Sequence, residues 1–142
     1  MSEQPAIQLI ANLVVHDGAG NVMLTRYDAS AEGADKDDDI RWWMPAHELE
    51  PYQHPDEAAT LALADFPGVS TQSVVMSRVQ SFRGRRGWHI SFDFEVVAEG
   101  TPDADGLPAA WFPATDLPAT KHGNWEHETI HAVLAGGGLR HS

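Results

Sequence analysis

The chain has 142 residues, of which 42% are apolar and 21% charged, with no cysteine and a formal net charge of −12. That size and composition predict one globular domain over residues 1–142 with a real core. The negative charge excludes a nucleic-acid backbone or an anionic membrane as main partner, since both need a basic footprint, and the lack of cysteine excludes disulfides and thiolate metal sites.

In chain order, Ile7 to His16 is β-rich, and Asp17-Gly18-Ala19-Gly20-Asn21 is strong turn chemistry. Val22 to Tyr27 then returns as a second strand, so a hairpin is expected. Asp28 to Asp39 is small, polar and acidic, the composition of a mobile loop, and Arg41 to Met44 is a short aromatic strand ended by Pro45. Pro55 suits the first position of a helix, with Asp56 and Glu57 near the positive end of its dipole; the stop is expected at Pro67-Gly68. Ser73 to Phe82 and Gly87 to Ala98 read as paired strands around Arg83-Gly84-Arg85-Arg86. Within the second, Ile90, Phe92, Phe94 and Val96 alternate with Ser91, Asp93, Glu95 and Val97, the pattern of a half-buried strand whose acids face water. A Pro/Gly/Asp linker from Gly100 to Pro108 leads to the apolar Ala110-Trp111-Phe112, and Trp125 to Leu134 forms a closing helix before Gly136-Gly137-Gly138. Several strands and two helices in this order predict an α+β sandwich around a mixed sheet. The opening Met1-Ser2-Glu3-Gln4-Pro5 has neither a basic nor an apolar signal region, and no apolar run nears the ~20 residues of a membrane span, so a soluble cytoplasmic domain is expected.

The most informative stretch runs from Trp43-Met44-Pro45-Ala46-His47-Glu48-Leu49-Glu50 to Phe66-Pro67-Gly68-Val69, a strand, a loop, a short helix and a tight stop. With the hairpin, the helix placement and the closing Trp111-Phe112-Pro113-Ala114-Thr115-Asp116-Leu117-Pro118, it resembles the Nudix superfamily, of MutT-like fold, over nearly the whole chain. The resemblance implies an α/β/α sandwich with a mixed sheet and two main helices. It also implies hydrolysis of nucleoside diphosphates linked to another group, with magnesium or manganese. The family's box, G-x5-E-x7-R-E-U-x-E-E-x-G-U with U aliphatic, falls here with its first glycine on His47 and its first glutamate on Gln53. Its arginine falls on Leu61, the next glutamate on Ala62, the glutamate pair on Asp65 and Phe66, and the closing residues on Gly68 and Val69.

The frame of the box is therefore present and most of its carboxylates are not. Positions 62, 65 and 66 share one helical face, where hard divalent cations would need oxygen ligands. Here they carry a methyl group, one short carboxylate and a phenyl ring, as in an ordinary core-facing helix that includes Leu61 and Leu63. Two readings stay open: impaired or lost hydrolysis, or a binding module that keeps the cleft. For a rebuilt site, the resemblance implies Asp65 and Glu50 as catalytic residues and Asp65, Glu48 and Glu57 as metal ligands. Arg83, Arg85, Arg86, His47 and Gln53 would then touch a small nucleotide-like substrate. The resemblance is also in keeping with a homodimer.

Other motifs compete for attention. Asp35, Asp37, Asp38 and Asp39 suggest a calcium loop, but Ile40 stands where its glycine should be and Ala46 where its closing glutamate should be. His127-Glu128-Thr129-Ile130-His131 is a literal H-E-x-x-H, whose histidines at i and i+4 could hold zinc. Its context, a short closing helix with only His141 downstream, argues for a packing role instead. Arg83, Arg85 and Arg86 could grip a phosphate or simply form a solvated hairpin tip. Trp42, Trp43, Trp88 and Trp111 read mostly as core.

Overall fold

A computed structural model describes residues 7–26, 42–84, 87–102, 108–120 and 124–135. Six strands and two helices follow one another: β1 (Ile7–His16), β2 (Asn21–Thr25), β3 (Ala46–Glu48), α1 (Pro55–Leu63), β4 (Val69–Gly84), β5 (Gly87–Gly100), β6 (Ala109–Pro113) and α2 (Asn124–Leu134). The β1–β2 hairpin turns where its sequence requires. Asp17 accepts the backbone N–H groups of Ala19 and Asn21 and the Asn21 amide, while Gly18 and Gly20 take φ of 81° and 96°. The Asn21 side chain and the Ala19 N–H hold the Asp17 carboxyl below the usual carboxylate range.

The sheet is mixed, in the order β4-β5-β1-β2-β6, with β3 also on β1. Along one edge β1 runs parallel to β5 from Ile7 opposite Trp88 to His16 opposite Val97. Its other edge forks: Ile10, Ala11 and Asn12 pair with β3, whereas Val15 and His16 pair with β2. Pro45 sits at the fork, and its carbonyl accepts the Leu13 N–H at 2.8 Å. This revises the aromatic strand expected to end at Pro45. Trp42 and Trp43 make only isolated bridges, to Thr120 and Thr25, and the strand proper follows the proline. Proline lacks an N–H but can still accept, so it serves as a hinge between two ladders.

Each face of the sheet carries one helix. Ala11, Leu13, Val15, Phe94 and Val96 pack with Ala58, Ala59, Ala62 and Phe66 of the α1 segment. On the far side Val14, Val22 and Leu24 pack with Ile130 and Val133 of α2. Helix α1 starts on Pro55 as its sequence predicts but ends at Leu63, short of Pro67-Gly68. Asp65 and Phe66 instead donate to carbonyls three residues back, because Pro67 disfavours α-helical geometry at Phe66. Leu61, expected in the core, is 44% exposed, since the face that turns inward is Ala58, Ala59 and Ala62. Trp88, also expected in the core, lies exposed and donates from Nε1 to Ser81 Oγ at 2.6 Å.

Strand β4 begins four residues before its expected start and ends two after its expected end, while β5 starts on Gly87 as expected and runs two residues further, to Gly100. The acids of β5 do not face water: Asp93 is fully buried and Glu95 nearly so. A central strand flanked by β1 and β4 is covered on both faces, so its polar side lies inside the protein on the α2 face. Tyr27, the acidic run 28–41, Arg85, Arg86, the 103–107 part of the linker, the glycine run 136–138 and His141 lie outside the described residues.

Candidate functional site

Of the candidate residues, His47, Glu48, Glu50, Gln53 and Glu57 lie on or beside the turn between β3 and α1. Three of these side chains have a local task. His47 Nδ1 donates to the Glu48 carbonyl at 2.8 Å, and Gln53 Oε1 accepts the Glu50 N–H at 3.0 Å. Glu57 Oε1 accepts the His54 N–H at 3.0 Å, one half of a capping box that starts α1. Between them Tyr52 adopts a left-handed φ of 68° with its ring fully exposed, a feature no pattern in the sequence signalled. Glu48 and Glu50 are exposed on the same turn.

Asp65 stands apart from this group. Six residues of α1 carry the chain from Glu57 to Leu63, about 9 Å along the axis, and Asp65 lies in the turn beyond. Its carboxylate is half-buried and makes no hydrogen bond among the described residues. The other two positions of its helical face are sealed: Ala62 is 0% and Phe66 1% exposed, packed in the core between α1 and the sheet. Among the described residues, no three histidines, aspartates or glutamates converge as a metal site would need. The donor set along α1 therefore does not fit the magnesium or manganese that the resemblance implies.

Of the arginine cluster, Arg83 is described, and it lies far from Asp65. Arg83 pairs opposite Trp88, level with Ile7 at the start of β1. Asp65 precedes Val69, which pairs opposite Gly100 at the other end of β5. Eleven residues of strand lie between Trp88 and Gly100, roughly 40 Å measured along β5. Arg83 thus shares an end of the sheet with Glu48 and Glu50, and Asp65 occupies the opposite end.

On the α2 face the register assembles a buried polar network that sequence spacing could not connect. Asn12 Nδ2 donates to Ser91 Oγ at 2.7 Å, and Ser91 Oγ donates to Asp93 Oδ1. Gln80 Nε2 donates to Asp93 Oδ2 at 2.6 Å and lies 3.2 Å from Thr129 Oγ1, tying the sheet to α2. Arg78 Nε stands 3.7 Å from the same carboxylate. Burial pushes the Asp93 carboxyl above the usual range; its hydrogen bonds to Ser91 and Gln80 and the charge of Arg78 oppose that shift without cancelling it. Further along, His16 Nε2 donates to Glu95 Oε2 at 2.8 Å while its Nδ1 accepts the Gly18 N–H. The alternation Ser91-Asp93-Glu95 was the only signal in the sequence, and it suggested a wet face.

Beside the network, Phe82 stacks on His89 with centroids 5.3 Å apart and lies 5.6 Å from Trp125 of α2. His89 Nε2 is buried with no partner among the described residues. The H-E-x-x-H histidines serve as ties. His127 Nε2 donates to the Pro118 carbonyl at 2.9 Å and His131 Nε2 to that of Ala114 at 3.0 Å, fastening α2 to the turn after β6.

Neither a protein-family model nor a curated protein sequence matches the chain. Solved structures do. A Nudix hydrolase from Nitrosomonas europaea superposes with a TM-score of 0.69 at 18% identity, over 96% of this chain and 93% of its own. A MutT Nudix hydrolase from Burkholderia pseudomallei gives 0.65 at 12% identity, over 88% and 98%, and the ORF135 protein of E. coli gives 0.63 at 11%, over 92% and 91%. The chain has the Nudix fold.

Proposed function

We propose that this Nudix-fold chain has lost, or keeps only in impaired form, metal-dependent diphosphate hydrolysis, and binds a small nucleotide-like ligand. The observation that carries the reading is the burial of Ala62 and Phe66, which fill with core packing the face where carboxylates would hold metal. Polar contacts within the β3–α1 turn already occupy Gln53 and Glu57. Ligand contact is better supported at the other face. There Phe82, His89 and Trp125 offer aromatic surface, and the buried His89 Nε2 is a polar atom with no partner among the described residues.

One observation keeps the hydrolase reading in play. Asp65 retains a carboxylate uncommitted among the described residues, and the structural neighbours are named as Nudix hydrolases. In that reading Asp65 and Glu50 act on the substrate, with Asp65, Glu48 and Glu57 as metal ligands and Arg83, Arg85, Arg86, His47 and Gln53 around the substrate. The deciding experiment incubates a panel of nucleoside diphosphate compounds with magnesium or manganese and measures phosphate or nucleotide release, wild type beside Asp65→Asn. The binding reading expects calorimetric binding of a panel member without release. Turnover that vanishes in Asp65→Asn would sink it.

A further inference from the structure

Glu95, His16 and Gly18 form a line of hydrogen bonds at the turn of the β1–β2 hairpin. His16 Nδ1 accepts the Gly18 N–H at 3.2 Å, and His16 Nε2 lies 2.8 Å from Glu95 Oε2. A backbone amide can only donate, so Nδ1 presents its lone pair to Gly18 and Nε2 carries its proton to Glu95. An imidazole oriented by a carboxylate and aimed at a weak nucleophile is the arrangement that activates it. Here the group addressed is a backbone nitrogen, and the residue just before it is Asp17.

We infer that Asp17-Gly18 is a self-modification site, with the Glu95–His16 pair as its base and Asn21 as its restraint. An aspartate side chain closes most readily on a following glycine, because glycine puts no side chain in the path of the ring. Nothing beyond its chain neighbours lies within 4 Å of the Cβ position of Gly18, and Gly18 to Gly20 are exposed to water. The Gly18 nitrogen gives its proton to His16 Nδ1 and bonds to Asp17 Cγ. The protonated carboxyl loses its hydroxyl, which takes the proton back from His16 and leaves as water. Water then opens the cyclic imide at either carbonyl, restoring aspartate or leaving an isoaspartate link. One water is released and one consumed, and nothing is oxidised or reduced.

The restraint acts on the carboxyl. Its Oδ1 accepts the N–H groups of Ala19 at 2.8 Å and Asn21 at 3.1 Å, and its Oδ2 accepts Asn21 Nδ2 at 2.8 Å. Bonds of this kind favour the ionised form, which has no hydroxyl to lose. An isoaspartate at position 17 adds a methylene to the main chain and removes the side chain that Asn21 grips, so the modification loosens the hairpin.

The test ages the full chain at neutral pH and maps its peptides with fragmentation that separates isoaspartate from aspartate. Asp105-Gly106, the other Asp-Gly pair of the chain, lies outside the described residues and serves as internal reference. Relative to it, Asn21→Ala should raise isoaspartate at Asp17 several-fold over wild type, with an unchanged circular dichroism spectrum. His16→Gln keeps an acceptor for the Gly18 N–H but supplies no base. Added to Asn21→Ala, it should return isoaspartate at Asp17 toward the wild-type amount. If Asn21→Ala fails to fold, wild type beside His16→Gln decides, with less isoaspartate expected in the variant. An Asn21→Ala protein that isomerises at Asp17 no faster than wild type, or a rise that His16→Gln leaves untouched, overturns the inference.

Discussion

Gln80 Nε2 donates to Asp93 Oδ2 at 2.6 Å and stands 3.2 Å from Thr129 Oγ1, so one amide links β4, β5 and α2 around a buried carboxyl. Because the folded protein raises the Asp93 pKa, it binds that proton more tightly than the unfolded chain does. The stability this contributes is full below the ordinary carboxylate range and is lost as pH rises through the raised value. Urea midpoints of wild type and Asp93→Asn, measured from acid to neutral pH, should therefore diverge, with the variant gaining on wild type as pH increases. A constant difference across that range would refute the assignment.

Placing glutamates at positions 62 and 66 should not create a hydrolase. Ala62→Glu and Phe66→Glu would each bury an unpaired carboxylate in the α1 core and should lower unfolding free energy by more than about 3 kcal/mol. Phe66→Ala, which leaves a cavity, should cost about 3–5 kcal/mol. Chemical denaturation reads all three, and a stable Phe66→Glu with metal-dependent turnover would contradict the packing account.

The H-E-x-x-H histidines should behave as hydrogen-bond donors to backbone. His127→Ala removes a part-buried bond to Pro118 and should cost about 1 kcal/mol, while His131→Ala, at an exposed bond to Ala114, should cost less. Added chelator should leave the melting temperature of wild type unchanged; a chelator-induced fall would revive a zinc role.

Gly100 closes β5 with φ of 119°, and a Cβ there would lie 2.5 Å from the Gly68 carbonyl oxygen. Its own carbonyl accepts Trp111 Nε1 at 2.8 Å. Gly100→Ala combines backbone strain with a clash against main chain and should destabilise by about 2 kcal/mol or more. Thermal melts of Gly100→Ala beside Gly18→Ala separate the terms, since Gly18 has a positive φ but open space around its Cβ position.

Local chemistry made much of the fold legible. Asp17 to Asn21 could only turn, Pro55 with Asp56 and Glu57 could only open a helix, and the β-rich run of β1 and the apolar alternation of β5 marked the sheet. The same resolution failed at Pro45, where a proline that ends one ladder serves as acceptor for another, and at Leu61, where three small alanines claim the inward face. At the candidate site, the apolar types of Ala62 and Phe66 were evident from the chain itself. Where the remaining carboxylates lie was not, because the separation of Arg83 from Asp65 follows from strand register, and register is a property of pairing.

By itself, then, the sequence determined the layered α+β architecture, since periodicity and turn chemistry are local. Only the tertiary structure decided that Ala62 and Phe66 are sealed in the core and that Asp93 is buried in a network with Asn12, Gln80, Ser91 and Thr129. Burial depends on what covers a residue. For β5 the cover comes from α2, some thirty residues further along the chain, and no local pattern in Ser91-Asp93-Glu95 encodes its arrival.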